Sequence, residues 1–269
     1  MLPFSKLSNN PVKEHAMDRQ RFKLPFVKDN NPNWVCPTCG EGVLKIKEGT
    51  FHCEERRNSR EAHSHEAWDP EWIEHIYTCI LVCTDDKCKE VVVSSGIGSV
   101  SWEFFEDDDG QSESVFIEYF RPKLFDPHLR LIHIPKSCPK TVTTKLNESH
   151  KLFFLSPSAA ANNVRAAIEE LLTELKIKRF SNSNGKRRPI SLHQRIKLLP
   201  PKYAQYIDMM LAIKWLGNAG SHAYGEITMD DVMDAYELTE HILQEIYEPK
   251  ITKLRAIAKK VNKKKGPAK

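Results

Sequence analysis

Apolar positions follow one period in the first half of the chain and another in the second. Gly42-Val-Leu-Lys-Ile-Lys, Ile76-Tyr-Thr-Cys-Ile-Leu-Val82 and Val91-Val-Val-Ser-Ser-Gly96 read as strands. Val100, Trp102 and Phe104 then alternate with polar neighbours. Asp109-Gly110 marks a turn, and Val115, Ile117 and Tyr119 alternate again. Leu129, Leu131 and His133 predict one more strand before Pro135.

The period lengthens beyond Asn147, where helices are expected to begin. Ser156 is an N-cap with Pro157 at the first helical position, and Ala161, Val164, Ile168, Leu171, Leu172 and Leu175 follow helical spacing. Arg165 and Glu169 fall one turn apart on a neighbouring face. The basic stretch from Lys178 to Arg188 reads as a loop. Ser191 with Gln194 resembles a capping box that opens a short helix ending at Pro200. Tyr203, Ile207, Met210, Leu211 and Trp215 form a stripe that stops at Gly217, read here as a C-cap with positive φ. An elbow from Asn218 to His222 follows. Thr228 with Asp231 caps the next helix, whose stripe runs from Val232 to Ile246 before Pro249. The expected class is therefore α+β. Residues 1–33 are an arm packing locally through Phe22, Leu24, Phe26 and Val27; 34–146 are a β module; 147–249 are a helical domain; 250–269 are a basic tail.

Composition changes this picture little. Across 269 residues, 40% are hydrophobic and 28% charged, as in ordinary globular proteins. No apolar run is long enough for a membrane span, and Met1-Leu-Pro-Phe-Ser-Lys has no signal core, so a cytoplasmic protein without membrane contact is expected. Charge matters through its distribution. The net value is +4, yet residues 249–269 hold nine Lys/Arg and no Asp/Glu, which leaves everything before them net negative. Such a tail can touch the phosphates of RNA or DNA, but many such tails are only solubilising.

Seven cysteines in that compartment point to metal or free thiols before disulfides. Cys36-Pro-Thr-Cys39-Gly40 is a knuckle that points two thiolates at one ion, and Cys83-Thr-Asp-Asp-Lys-Cys88 supplies two more beside a strand. Together they predict a zinc ribbon with Cys36, Cys39, Cys83 and Cys88 as a structural four-thiolate site; unligated thiols packed as small hydrophobes are the alternative. The separation of Cys39 from Cys83 exceeds the usual ribbon gap, and an insertion from Phe51 to His75 accounts for it. Within that insertion His52, Cys53, His63 and His65 read as a solvated loop, with a second ion or a swap into the first site left open. Cys79 is expected in the core, and Cys138 in a loop without a partner. The acidic run Glu106-Asp-Asp-Asp109 reads as a hairpin tip. Gly96-Ile-Gly98 lacks the spacing and the lysine of a phosphate loop.

Four ordered blocks carry a resemblance: Asn162-Asn-Val-Arg-Ala-Ala-Ile-Glu169, Ser191-Leu-His-Gln-Arg-Ile196, Trp215-Leu-Gly-Asn-Ala-Gly-Ser-His222 and Ile227-Thr-Met-Asp-Asp-Val232. With the upstream Pro127–Pro135 segment they resemble the bacterial family catalogued as domain of unknown function 4145. That family is similar to the HEPN helical bundles, many of which are ribonucleases or their inactive relatives, and its members occur fused to restriction-type proteins. The resemblance implies a HEPN-like bundle that forms a homodimer or binds a protein partner, in a setting such as phage defence. It also implies a nuclease alternative centred on His222, helped by Asn218 and by Lys214 or Arg165. Histidine suits general acid–base work on a ribose hydroxyl, and arginine suits the developing phosphate charge. This sequence places Gly217 where an active motif would carry arginine. The favoured reading of Asn218 and His222 is therefore structural: they hydrogen-bond backbone groups freed at the two helix ends.

Overall fold

The structure, a computed structural model, describes residues 17–106, 112–183, 185–219 and 226–267. The Asp109-Gly110 turn, most of the acidic run before it, and Gly220 and His222 of the elbow lie outside the described residues. Class α+β is observed, with the antiparallel sheet first and the helices after it.

A short helix α1 (Gln20–Lys23) precedes the sheet. The strands are β1 (Leu44–Ile46), β2 (His52–Glu55), β3 (Glu74–Cys83), β4 (Val91–Glu106) and β5 (Ser112–Asp126), with α2 (Arg57–Ala62) between β2 and β3. Their order is β1-β3-β4-β5, and β2 pairs with β3 beside β1. The Phe51–His75 insertion is thus partly a strand and a helix, and not the loop that its composition suggests. On β3, alternation sends Tyr77, Cys79, Leu81 and Cys83 inward, so the period-two reading holds there, Cys79 included.

The expected strand at Leu129–His133 is absent. Leu129, Leu131 and Ile132 are all buried, which alternation forbids, and the segment lies irregular between Pro127 and Pro135. A ladder partner is replaced by side chains: Glu240 Oε1 accepts from the His133 backbone N–H at 2.8 Å. Helices also start earlier than expected, with α3 (Lys140–Leu152) preceding α4 (Pro157–Glu174), α5 (Leu192–Lys197), α6 (Ile207–Ala219), α7 (Met229–Tyr247) and α8 (Lys250–Lys264). The three predicted caps form: Ser156 accepts from Ala159 N–H, and both Ser191/Gln194 and Thr228/Asp231 make reciprocal capping boxes.

The basic stretch from 178 to 188 is not a loop in its described residues. It pairs as the hairpin β6 (Phe180–Ser183) and β7 (Lys186–Pro189), a sheet of its own.

One apolar cluster runs from Phe26 in the arm to Leu243 in α7. Its seam is aromatic. Phe26 packs edge-on against Trp34 and Tyr77, Trp34 against Phe125, and Phe125 against Phe154 of the helical half. From residue 17 on, the arm therefore packs over long range and not only locally. Phe26 pairs its backbone with Phe120 of β5, Arg19 reaches Asp234 (2.6 Å) and Glu237 (2.9 Å) on α7, and Leu24 stays exposed. No described helix is long and apolar enough to cross a membrane.

Candidate metal centre and helix elbow

Cys36 and Cys39 lie just before β1, while Cys83 ends β3 and Cys88 sits in the connection to β4. Because β1 pairs with β3 through Leu44 and Cys83, the two knuckles meet at one end of the sheet. Their four sulfurs lie within 4.8 Å of one another, with Cys36–Cys88 at 3.8 Å and Cys39–Cys83 at 3.7 Å. A disulfide would need about 2.05 Å. Four separate soft donors around one point are a set that can hold a metal ion.

Backbone amides orient these sulfurs. Thr38 N–H donates to Cys36 Sγ and Gly42 N–H to Cys39 Sγ, both at 3.4 Å. Donation from the Glu41 and Gly42 amides lowers the Cys39 thiol to about 7, whereas burial raises that of Cys83 to about 12, so the cluster without an ion does not hold four thiolates. The chain then reverses at Gly40 with φ +74°, in the left-handed region. The second knuckle reverses in the same way, but at Lys89 with φ +48°. There Asp85 Oδ1 accepts from the amides of Lys87 and Cys88, each at 2.9 Å, and shapes the turn that a glycine shapes in the first knuckle. Thr84 and Val43 exchange two hydrogen bonds between the knuckles, and Thr38 Oγ1 pairs with Glu90.

Gly42 is a member of this site that the sequence pattern leaves inside a strand. A Cβ there would lie 2.4 Å from Cys83 Sγ and 3.0 Å from Asp85 Cβ, so only glycine lets β1 come this close. The spacing of Gly42 from Cys39 carries no signal of that approach. Asp85, by contrast, is visible in the sequence as a turn residue between two cysteines.

His52, Cys53, His63 and His65 do not gather into a second ligand group among the described residues. His63 Nε2 pairs with Glu55 Oε1 at 2.9 Å and its ring packs on Trp68, while His65 packs on Trp72. Cys138 is half-buried in a turn, where burial raises its thiol.

The elbow departs from expectation in its glycine. Gly217 is not a C-cap: α6 continues through it to Ala219, and the residue is buried. A Cβ at Gly217 would lie 2.5 Å from Arg165 Cβ and 3.0 Å from the Ala161 carbonyl. Its role is close approach of α6 to α4, a contact between elements some fifty positions apart that no local period can reveal. That approach brings Arg165 beside the turn of α6 that carries Lys214 and Asn218. Arg165 is already engaged, donating to Asn162 Oδ1 at 3.0 and 3.2 Å and pairing with Glu169. Lys214 Nζ lies 3.1 Å from the centroid of the exposed Trp215 ring, and partial burial with the Arg165 charge lowers its pKa. The bonds expected of His222 fall outside the described residues.

Beside this end of α6, Met209, Ala212, Trp215 and Leu216 face Leu238 and His241 of α7 across an open apolar groove of about 570 Å³.

Comparison with curated proteins and with solved structures finds no match. Two family models match separate stretches of the chain. Residues 24–125, which hold the sheet and all four clustered cysteines, match the model described as Domain of unknown function (DUF8608). Residues 147–265, from within α3 through α8, match the Domain of unknown function (DUF4145), the family that the four sequence blocks resemble.

Proposed function

We propose that the chain is a zinc-stabilised, non-catalytic interaction module in which a zinc-ribbon-like sheet supports a HEPN-like helical bundle. The four-cysteine cluster carries the reading. Zinc bound tetrahedrally at about 2.3 Å from each sulfur sets the sulfurs about 3.8 Å apart. The Cys36–Cys88 and Cys39–Cys83 separations of 3.8 and 3.7 Å fit that geometry. Bound zinc supplies a cross-link between the two knuckles. With Cys36, Cys39, Cys83 and Cys88 as its four ligands a bound zinc would have no position left for substrate, and it would fold the module without catalysing. The bundle is the side offered to partners: the groove beside Trp215 suits a second copy or another protein, within a protein or nucleic-acid assembly such as bacterial phage defence.

Metal analysis of protein purified without added zinc tests the centre. About one zinc per chain is expected, and none in the Cys36→Ser protein; full occupancy in that variant would show a different ligand set.

A second reading, a metal-independent endoribonuclease centred on His222, draws on one observation. Gly217 packs against the Arg165 side chain, so α4 brings a cationic residue next to the position where an active motif would carry arginine. Against it, Arg165 and Lys214 are already engaged by Asn162, Glu169 and Trp215. Structured and single-stranded RNAs incubated in chelator with wild type and with His222→Ala separate the two. Cleavage by wild type alone, with unchanged melting of the variant, establishes the nuclease.

A further inference from the structure

The β6–β7 hairpin is a strand pair with no packing reason to exist. All four residues of β7 are exposed, as are Phe180, Ser181 and Asn182 of β6, so neither face covers a core. Isolated two-stranded hairpins are marginal in water, yet this one is firmly rooted. At its entry, α4 ends with Lys176 in the left-handed region (φ +65°), while Lys176 and Ile177 donate back to Thr173 and Leu172 carbonyls. The buried Arg195 of α5 holds the same root by donating to the carbonyls of Glu169 (3.1 Å) and Ile177 (3.4 Å) and to Thr173 Oγ1 (2.9 Å). Ile190 N–H extends the ladder to the Arg179 carbonyl at 2.9 Å.

What this rooted element presents is charge of one sign. Residues 176–190 contain Lys176, Lys178, Arg179, Lys186, Arg187 and Arg188 and no acidic residue. Solubilising surfaces intersperse both signs. The Arg187 guanidinium is also held in place, 3.8 Å from the centroid of the half-exposed Phe180 ring. That contact agrees with the register, since Phe180 opposite Pro189 and Asn182 opposite Arg187 share one face, while Ser181 opposite Arg188 lies on the other.

We propose that this hairpin is a docking finger for double-stranded DNA. Its cations complement phosphodiesters, and its shape selects the duplex. Two strands about 4.8 Å apart enter a B-form major groove about 12 Å wide, whereas the major groove of A-form RNA is too narrow to be read by side chains. The contact belongs to an element anchored on the helical half and not to the basic tail where charge distribution alone would put it. The inference rests on the reading of the chain as a binding module, but not on the identity of its metal.

Fluorescence anisotropy with a short labelled DNA duplex, the matching RNA duplex and a single strand, each across a salt series, provides the test. Wild type should prefer the DNA duplex. Arg187→Glu with Arg188→Glu should weaken binding at least about tenfold. The same change should make the dependence of log K on log salt shallower by about two, roughly one unit for each phosphate left unneutralised. Phe180→Ala should weaken binding less and leave the salt slope unchanged. Metal content and helical circular dichroism should match wild type in all variants, so a failed metal prediction and a failed hairpin prediction remain distinguishable. Absence of duplex binding by wild type would overturn the proposal. So would preference for the RNA duplex or the single strand, or binding that survives the double variant and vanishes on deletion of residues 250–269.

Discussion

The two knuckles reach one geometry by different chemistry, and the two halves of the protein differ in the same spirit. Around Cys36 the turn is made by Gly40; around Cys88 it is made by Lys89, with Asp85 accepting amides from beneath. On the scale of the fold, the sheet half converges on four sulfurs, whereas the helical half rests on distributed packing such as Gly217 against Arg165. A structure held at a point fails when one atom is changed. A structure held along a seam fails by degrees.

The largest expected effect breaks the point. Cys36→Ser should cost on the order of several kcal/mol, because metal binding is folding free energy in such modules. In a urea titration the sheet signal should melt first. The helical half should survive but lose cooperativity, since Phe125 packs on Phe154 and ties its core to the sheet. A single unshifted transition would show that the centre carries little of the stability.

The seam should respond more mildly. Gly217→Ala forces a methyl group against Arg165 Cβ and the Ala161 carbonyl, and the helices must part; about 1–3 kcal/mol is expected from the chemical-denaturation midpoint. A wild-type midpoint would refute the close approach.

A titration sharpens the same contrast. His150 of α3 is fully buried beside Tyr236 and His128, and neither ring nitrogen has a partner among the described residues. Burial, then the charges of His128 and Arg130, push it down to about 3. The folded ring stays neutral while the unfolded chain takes up a proton near 6.5. Acid therefore favours unfolding, and stability falls as pH drops below about 6.5 toward 3. Between pH 6.5 and 5 the loss from this group is about 1–2 kcal/mol. His150→Leu should flatten that part of the stability–pH curve, whereas an equal slope in both proteins would remove His150 as its cause.

Smallest is the repair of the second knuckle. Lys89→Gly relieves a left-handed backbone at an exposed site and should stabilise the metal-bound protein by about 0.5 kcal/mol, after the added entropy of the unfolded chain is subtracted. Destabilisation in thermal melts would mean that the Lys89–Asp86 ion pair matters more than the turn.

What is legible in the sequence is what acts locally. The Ser156–Pro157 start and the capping boxes at Ser191 and Thr228 involve partners within a few residues, and all are present. Each cysteine knuckle is also a short spacing, and it is the repeated pair that signals a meeting of residues 44 and 52 positions apart. The pattern misleads where the deciding partner lies far along the chain. Gly217 ends an apolar stripe and so imitates a cap, but its neighbour is Arg165 on another helix. Leu129 and Leu131 imitate a strand, but Glu240 takes the amide that a strand would have paired. The hairpin hides for a different reason: its strands bury nothing and show no apolar alternation. The Asn184-Gly185 pair is a turn signal in plain view, masked by the basic composition around it.

The ion pairs of Arg19 set an order of events. Arg19 and Glu237 stand 218 positions apart, so a chain emerging from the ribosome presents the cation long before its carboxylates exist. At roughly 5–20 residues per second that interval is about 10–40 s, ample for Phe26 to seat on β5 and for the four cysteines to come together. The arm is then a clasp fastened last. A nascent chain stopped before α7 would hold its sheet and its cysteine cluster with the clasp still open.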